Sequence, residues 1–220
     1  MKRVIRAVIL DMDGTLLDSM PIWPEIDRRF FEENGLMMPE GLSETVSTMS
    51  MEEWAAYFIR EFHAPYTVQG VIRRIEEMAA EYYTSSIPLK PHVPAFLDAL
   101  DVHGIPYGIA TATYRSSARA ALGRLQILSR MRFVLTGEDV PSGKRHPEIY
   151  LEAARRLGSP PEETLVVEDS LHCVETAVRA GFPTACVFDR SAPPGDWERM
   201  CTLADLSAQD LAELRTQLFP

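Results

Sequence analysis

The sequence predicts an α/β protein in which a parallel sheet flanked by helices is interrupted by an inserted helical segment. Residues 4–10 form an unbroken apolar run that ends in the acidic loop DMDGTLLDS. Residues 21–86 show helical spacing and almost no β-branched runs. Beyond residue 90, short apolar runs alternate with stretches of helix length. A chain of 220 residues is long enough for one such domain with an insertion.

Residues 4–10 read as a central strand, because a parallel strand covered by helices on both faces is apolar throughout. The loop that follows then lies at a carboxyl edge of the sheet. The run is too short to span a membrane and is followed at once by Asp11, Asp13 and Asp18, so neither a span nor a signal peptide is expected.

The insertion contains three helical stripes. Ile22, Ile26 and Phe30 recur at four-residue spacing before Asn34 and Gly35, which tolerate a left-handed cap. Ser50 and Glu53 can form a capping box ahead of Trp54, Phe58 and Phe62. A third helix follows Thr67, with Val71, Ile75, Met78 and Tyr82 on one face.

After the turn marked by Pro88, Pro91 and Pro94, a helix ends near Gly104 and a strand covers 105–110. A helix over 116–124, a short strand over 133–135, and a helix over 147–157 closed by Gly158 come next. A strand over 164–167, a helix ending at Ala180 and Gly181, and a strand over 184–188 complete the alternation. Strands separated by helices of this length form a parallel sheet, and chemistry in such sheets collects beyond the strand carboxyl ends. The expected division is a core of 1–17 and 90–220 with an insertion of 18–89, whose connections near 18–21 and 86–91 are expected hinges.

A net charge of −10 and a pI near 5.0 argue against nucleic acid or an anionic membrane as partner and favour a small molecule. Cys173, Cys186 and Cys201 are odd in number and lack zinc-site spacing, which points to reduced thiols in a cytoplasmic protein. Monomer is the default oligomeric state.

Four strand ends bring polar residues to one edge: Asp11 and Asp13, Thr111 and Thr113, Lys144 in the loop after the third strand, and Glu168 with Asp169. Carboxylates gathered at buried strand ends need a compensating cation, proton or donor, and Mg²⁺, a hard ion that prefers oxygen ligands, is the economical one. Asp169 or Ser170 would also serve as a helix cap. Capping alone does not account for acids at two strand ends together with a lysine. Lys144 is one of only three lysines, with Lys2 and Lys90. It is either a solvated loop residue or a neutraliser of a substrate phosphate, and its place after Gly143 at the acidic edge favours the second.

These residues, in this order and spacing, resemble the haloacid dehalogenase superfamily, in its branch of phosphatases and β-phosphoglucomutase-like enzymes with a helical cap on a Rossmann-like core. The signatures are DMDGTLLDS from Asp11, Thr111 after a strand, Lys144, and EDS from Glu168. The resemblance implies a phosphatase acting on a small phosphorylated metabolite, with Asp11 as nucleophile and Asp13 as general acid and base. It implies Mg²⁺ held by the Asp11 carboxylate, the Asp13 carbonyl and Asp169, with Glu168 nearby. Gly14, Thr111, Ala112 and Lys144 would hold the phosphoryl group.

The chain departs from the family pattern in Arg145 after Lys144, Cys173 after the acidic pair, and Ala112 after Thr111. Dehalogenation is disfavoured, since the resemblance ties Asp13 and the acidic pair to phosphoryl chemistry. A β-phosphoglucomutase-like mutase is the enzymatic alternative, but Trp23 stands near the place of that group's cap histidine. Residues 41–50 also carry no Lys, Arg or His to clamp a second phosphate. A noncatalytic binding protein would be marked by a missing reacting group, and none is missing. Trp23 is open between a substrate contact and interhelical core, as are Met49, Met51 and Trp54. His146 and His172 are expected to be structural or at the surface.

Overall fold

The computed structural model describes residues 4–42, 49, 51–140 and 142–220. Among the described residues, strand β1 (Ala7–Leu10) is followed by helices α1 (Ile22–Glu33), α2 (Met51–Phe62) and α3 (Val68–Ser85). The chain continues through α4 (Val93–Val102), β2 (Tyr107–Ala110), α5 (Arg115–Arg124), β3 (Val134–Leu135) and α6 (Glu148–Leu157). It ends with β4 (Thr164–Glu168), α7 (Leu171–Arg179), β5 (Thr184–Val187), α8 (Asp196–Leu203), β6 (Leu206–Ala208) and α9 (Leu211–Leu218). Two compact units result: Met1–Ser19 with Ile87–Pro220, and Met20–Ser86.

The first unit is a Rossmann-like fold built on a six-stranded sheet of order β3-β2-β1-β4-β5-β6, with every pairing parallel. Strand β1 lies between β2 and β4, with Val8 opposite Tyr107 on one side and Leu165 on the other. All four β1 residues are buried, as the apolar run requires. The connections change direction at β1, so the loops leaving β1, β2 and β4 converge at the switch point where α/β sheets hold ligands. Gly108 in β2 is a packing requirement: a Cβ there would lie 2.6 Å from the Phe133 ring.

Several expected boundaries shift. Val4 is 62% exposed and the strand starts at Ala7, so the first residues of the apolar run lie outside the sheet. The terminal segment β6, with α8 and α9, has no counterpart in the sequence reading; β6 is three residues long with only Ala208 buried, which leaves too little pattern to detect. The start of α9 was marked by Asp210, whose carboxylate accepts from the Ala212 and Glu213 amides at 2.8 and 2.9 Å. Cys173 and Cys186 are buried, and all three cysteines are free.

The second unit is centred on aromatic rings. Phe58 meets Phe30 and Phe31 edge to face at 4.8 and 5.2 Å and stacks on Trp54 at 5.6 Å. Each such pair contributes about 0.5–1.5 kcal/mol beyond its buried area. Thr67 caps α3 by accepting from the Gly70 amide at 3.1 Å. The buried face of α3 turns slightly from the expected stripe, taking Tyr83 in place of Tyr82. Gly35 ends α1 at φ +68°, as its sequence position indicated. The proposed capping box involves Ser50, which lies outside the described residues, as does most of 41–50. Among the described residues, no helix is long and apolar enough to cross a membrane.

Candidate active site

Asp11 continues the line of β1, its amide donating to the Val167 carbonyl of β4 at 3.0 Å. The chain then turns tightly: the Leu16 and Leu17 amides return to the Met12 carbonyl, and the Gly14 amide to Leu17. Gly14 adopts φ +82°, and a Cβ there would fall onto the Asp169 carboxylate, 2.7 Å from its Cγ. Only glycine lets this loop close on the end of β4. The loop after β1 and the acidic end of β4 are therefore held in mutual contact by backbone geometry.

Lys144 arrives from the loop between β3 and α6 and is buried, its ammonium donating to Asp11 Oδ1 and, at 2.8 Å, to Glu168 Oε1. The Tyr150 hydroxyl of α6 donates to the same Glu168 oxygen at 2.8 Å. Oxygens of Asp11, Glu168 and Asp169 all lie within 4.8 Å of one another. Thr15 Oγ1 donates to Asp169 Oδ1 at 3.4 Å.

A second group stands at the end of β2. Asp13 Oδ2 accepts from Thr113 Oγ1 at 2.6 Å and from Thr111 Oγ1 at 3.4 Å. The Thr111 hydroxyl in turn accepts from the Thr113 amide at 3.1 Å. Ala112, between them, is exposed.

Burial raises the Asp11 pKa to about 6, with Glu168 adding to the effect and Lys144 opposing it. Asp169 is pushed well above the carboxylate range by burial and by the charges of Asp11 and Glu168. Burial works against the Lys144 ammonium, but Asp11 and Glu168 outweigh it and carry its pKa well above the lysine range. One ammonium thus faces three clustered carboxylates, and the cluster is short of positive charge. Hard oxygen donors at this spacing suit Mg²⁺.

The sequence-predicted residues divide accordingly. Asp11, Lys144, Glu168 and Asp169 form one cluster, Asp13 and Thr111 sit on the neighbouring loop pair, and Gly14 joins the two. Trp23 is the second residue of α1, in the other unit. His146 is exposed, and the exposed His172 shares a hydrogen bond with Ser170 at the start of α7. Two contributors had no assigned part: Thr113, though it was noted at the strand end, and Tyr150, whose place on the buried face of a helix reads as ordinary core.

The haloacid dehalogenase-like hydrolase profile matches residues 8–187. A phosphorylated carbohydrates phosphatase from Thermotoga maritima is 30% identical over 178 residues, covering 81% of this chain and 82% of that protein. Hexitol phosphatase B from Escherichia coli K12 is 26% identical, covering 96% and 95%. Among solved structures, a β-phosphoglucomutase-like protein from Thermotoga maritima aligns with a TM-score of 0.82 at 26% identity, covering 97% of this chain and 98% of the other.

Proposed function

Because this chain belongs to the haloacid dehalogenase-like hydrolases and acts as a phosphoric monoester hydrolase, we propose that it is a Mg²⁺-dependent phosphatase of phosphorylated carbohydrates working through an aspartyl-phosphate on Asp11. The observation that carries this reading is the buried Asp11 carboxylate, bonded to Lys144 and grouped with Glu168 and Asp169 within 4.8 Å.

In the first displacement an Asp11 carboxylate oxygen attacks phosphorus and the bond from phosphorus to the sugar oxygen breaks. Asp13 delivers its proton to that leaving oxygen. In the second, the Asp13 carboxylate takes a proton from water, whose oxygen attacks phosphorus and releases Asp11 and inorganic phosphate. Thr113 holds the Asp13 carboxylate between these roles. Lys144, Thr111 and the amides after Asp11 and around Ala112 bind the phosphoryl oxygens as charge develops on them.

Asp11, Asp169 and Glu168, with the Asp13 carbonyl, would hold Mg²⁺. When bound, the ion offsets the repulsion between the anionic nucleophile and the anionic phosphate. Trp23 is proposed as a substrate contact, and reduced thiols fit a cytoplasmic setting.

The mutase reading is favoured by the structural likeness to a β-phosphoglucomutase-like protein. It is opposed by residues 41–50, where no Lys, Arg or His is available for a second phosphate. The test is Mg²⁺-dependent phosphate release from sugar phosphates, hexitol phosphates, phosphoglycolate, nucleoside monophosphates and a chromogenic aryl phosphate, in wild type and Asp11→Asn. Release by wild type alone, strongest with sugar or hexitol phosphates, is the expected result. Release by neither protein, with turnover appearing only on addition of a sugar bisphosphate, would establish the mutase instead.

A further inference from the structure

Lys90 is a half-buried lysine that the steps above do not use, and its three donors are all engaged. Its Nζ donates to Asp189 Oδ2 at 2.7 Å, to the Phe188 carbonyl at 3.1 Å and to the Gly14 carbonyl at 2.5 Å. An ammonium has three protons, so this arrangement saturates it. Asp189 is 3% exposed, and its other oxygen accepts from the Ser191 amide at 2.9 Å and the Ser191 hydroxyl at 2.6 Å. The backbone is fixed as well: the Lys90 amide donates to the Leu16 carbonyl at 2.8 Å, and the preceding Leu89 bridges Leu17.

We propose that Lys90 is a positioning residue, which uses its ion pair with Asp189 to lock the Gly14–Thr15 peptide against Asp169. The geometry supports this in two ways. First, Lys90 joins the loop after β1 to the loop after β5, and these strands flank β4, whose end carries Glu168 and Asp169. Second, the Gly14 carbonyl belongs to a planar peptide unit with Asp169 on either side: the backbone at Gly14 runs so close that a Cβ there would fall on the carboxylate, and the Thr15 hydroxyl donates to it. Fixing that carbonyl fixes both contacts.

A purely structural ion pair would act differently, since a buried pair adds little net stability over an apolar replacement and has no reason to affect turnover per folded molecule. The catalytic consequence rests on the phosphoryl-transfer reading, and the effect on Mg²⁺ rests only on the acidic cluster holding that ion. The double variant Lys90→Met/Asp189→Asn removes both charges together and leaves no unpaired buried charge. Aryl phosphate turnover and calorimetric Mg²⁺ binding are compared with wild type after circular dichroism confirms folding. The double variant is expected to bind Mg²⁺ about tenfold more weakly and to lose about tenfold in kcat, with KM changed less than about twofold. Wild-type kcat together with wild-type Mg²⁺ affinity would overturn the proposal. If wild type itself does not hydrolyse the aryl phosphate, the phosphatase reading fails and calorimetry alone decides here: weakened binding supports the clamp, and unchanged binding overturns it. Should the double variant not fold, Lys90→Arg takes its place, keeping the charge but replacing three tetrahedral donors by a planar fork. An Mg²⁺ affinity about threefold or more below wild type supports the clamp, and a smaller loss overturns it.

Discussion

The two units are specified by different chemistry. In the first, charged side chains are buried or half-buried and directed at one another: Lys144 with Asp11 and Glu168, half-buried Lys90 with buried Asp189. In the second, the interior is aromatic and the charges lie outside, in pairs such as Arg74 with Glu33 and Glu77 and Arg28 with Glu25 and Glu32. Burying charge is unfavourable unless each group is paired and hydrogen-bonded, so the first unit gives up stability at its strand ends to assemble reacting groups. In the second unit burial raises the Asp27 pKa to about 6, but the described residues otherwise answer mainly to packing.

The sharpest way to break that contrast is Phe58→Ala. Loss of a ring that meets Phe30, Phe31 and Trp54 should cost about 3–5 kcal/mol, read as a lower urea midpoint. Mg²⁺ affinity of the folded protein should stay at the wild-type value. A weakened metal site in this variant would mean that the two units are not independently specified.

A smaller effect is expected from Mg²⁺ and pH. In the metal-free protein Asp11 is raised from 3.8 to about 6, so between these values the folded chain holds its proton more tightly than the unfolded chain does. Stability therefore falls as pH rises through that window and stays reduced above it. Asp169, also raised, acts in the same direction. Saturating Mg²⁺ should raise Tm more at pH 7.5 than at pH 5, and chelation should reverse the gain. An equal increment at both pH values would separate the metal effect from these carboxylates.

The smallest effect belongs to the surface of the second unit. Arg74→Ala removes exposed pairs with Glu33 and Glu77 at 2.8 and 3.0 Å. Such pairs are worth about 0.2–1 kcal/mol each, and the loss should shrink in high salt. A loss as large as that of Phe58→Ala would reverse the assignment of stability to the aromatic interior.

The same contrast explains what could be read from the amino-acid order. Asp11, Asp13, Lys144, Glu168 and Asp169 are chemically costly at strand ends, so their presence there announced a site. Tyr150 was not legible, because a buried tyrosine on an apolar helix face reads the same whether or not its hydroxyl meets Glu168. Lys90 lies 76 residues from the Gly14 carbonyl that it binds, in a proline-rich turn with no local periodicity. Gly108 would ordinarily weaken a strand, and only the fold shows the Phe133 ring lying where its side chain would be. The helices of the insertion were legible from their apolar spacing, which reports packing and says little about the sugar that such an enzyme would select.

The central claim is that the phosphoryl group passes through Asp11, and borohydride trapping tests it directly. Wild-type enzyme turning over a sugar phosphate with Mg²⁺ is quenched in acid, reduced, digested and examined by mass spectrometry, with Asp11→Asn treated alongside. Reduction of an acyl phosphate converts the aspartate to homoserine, and the prediction is homoserine at position 11 in wild type alone. Efficient turnover with an unmodified Asp11 under conditions that trap a known acyl phosphate, or with the modification at another residue, would contradict the account.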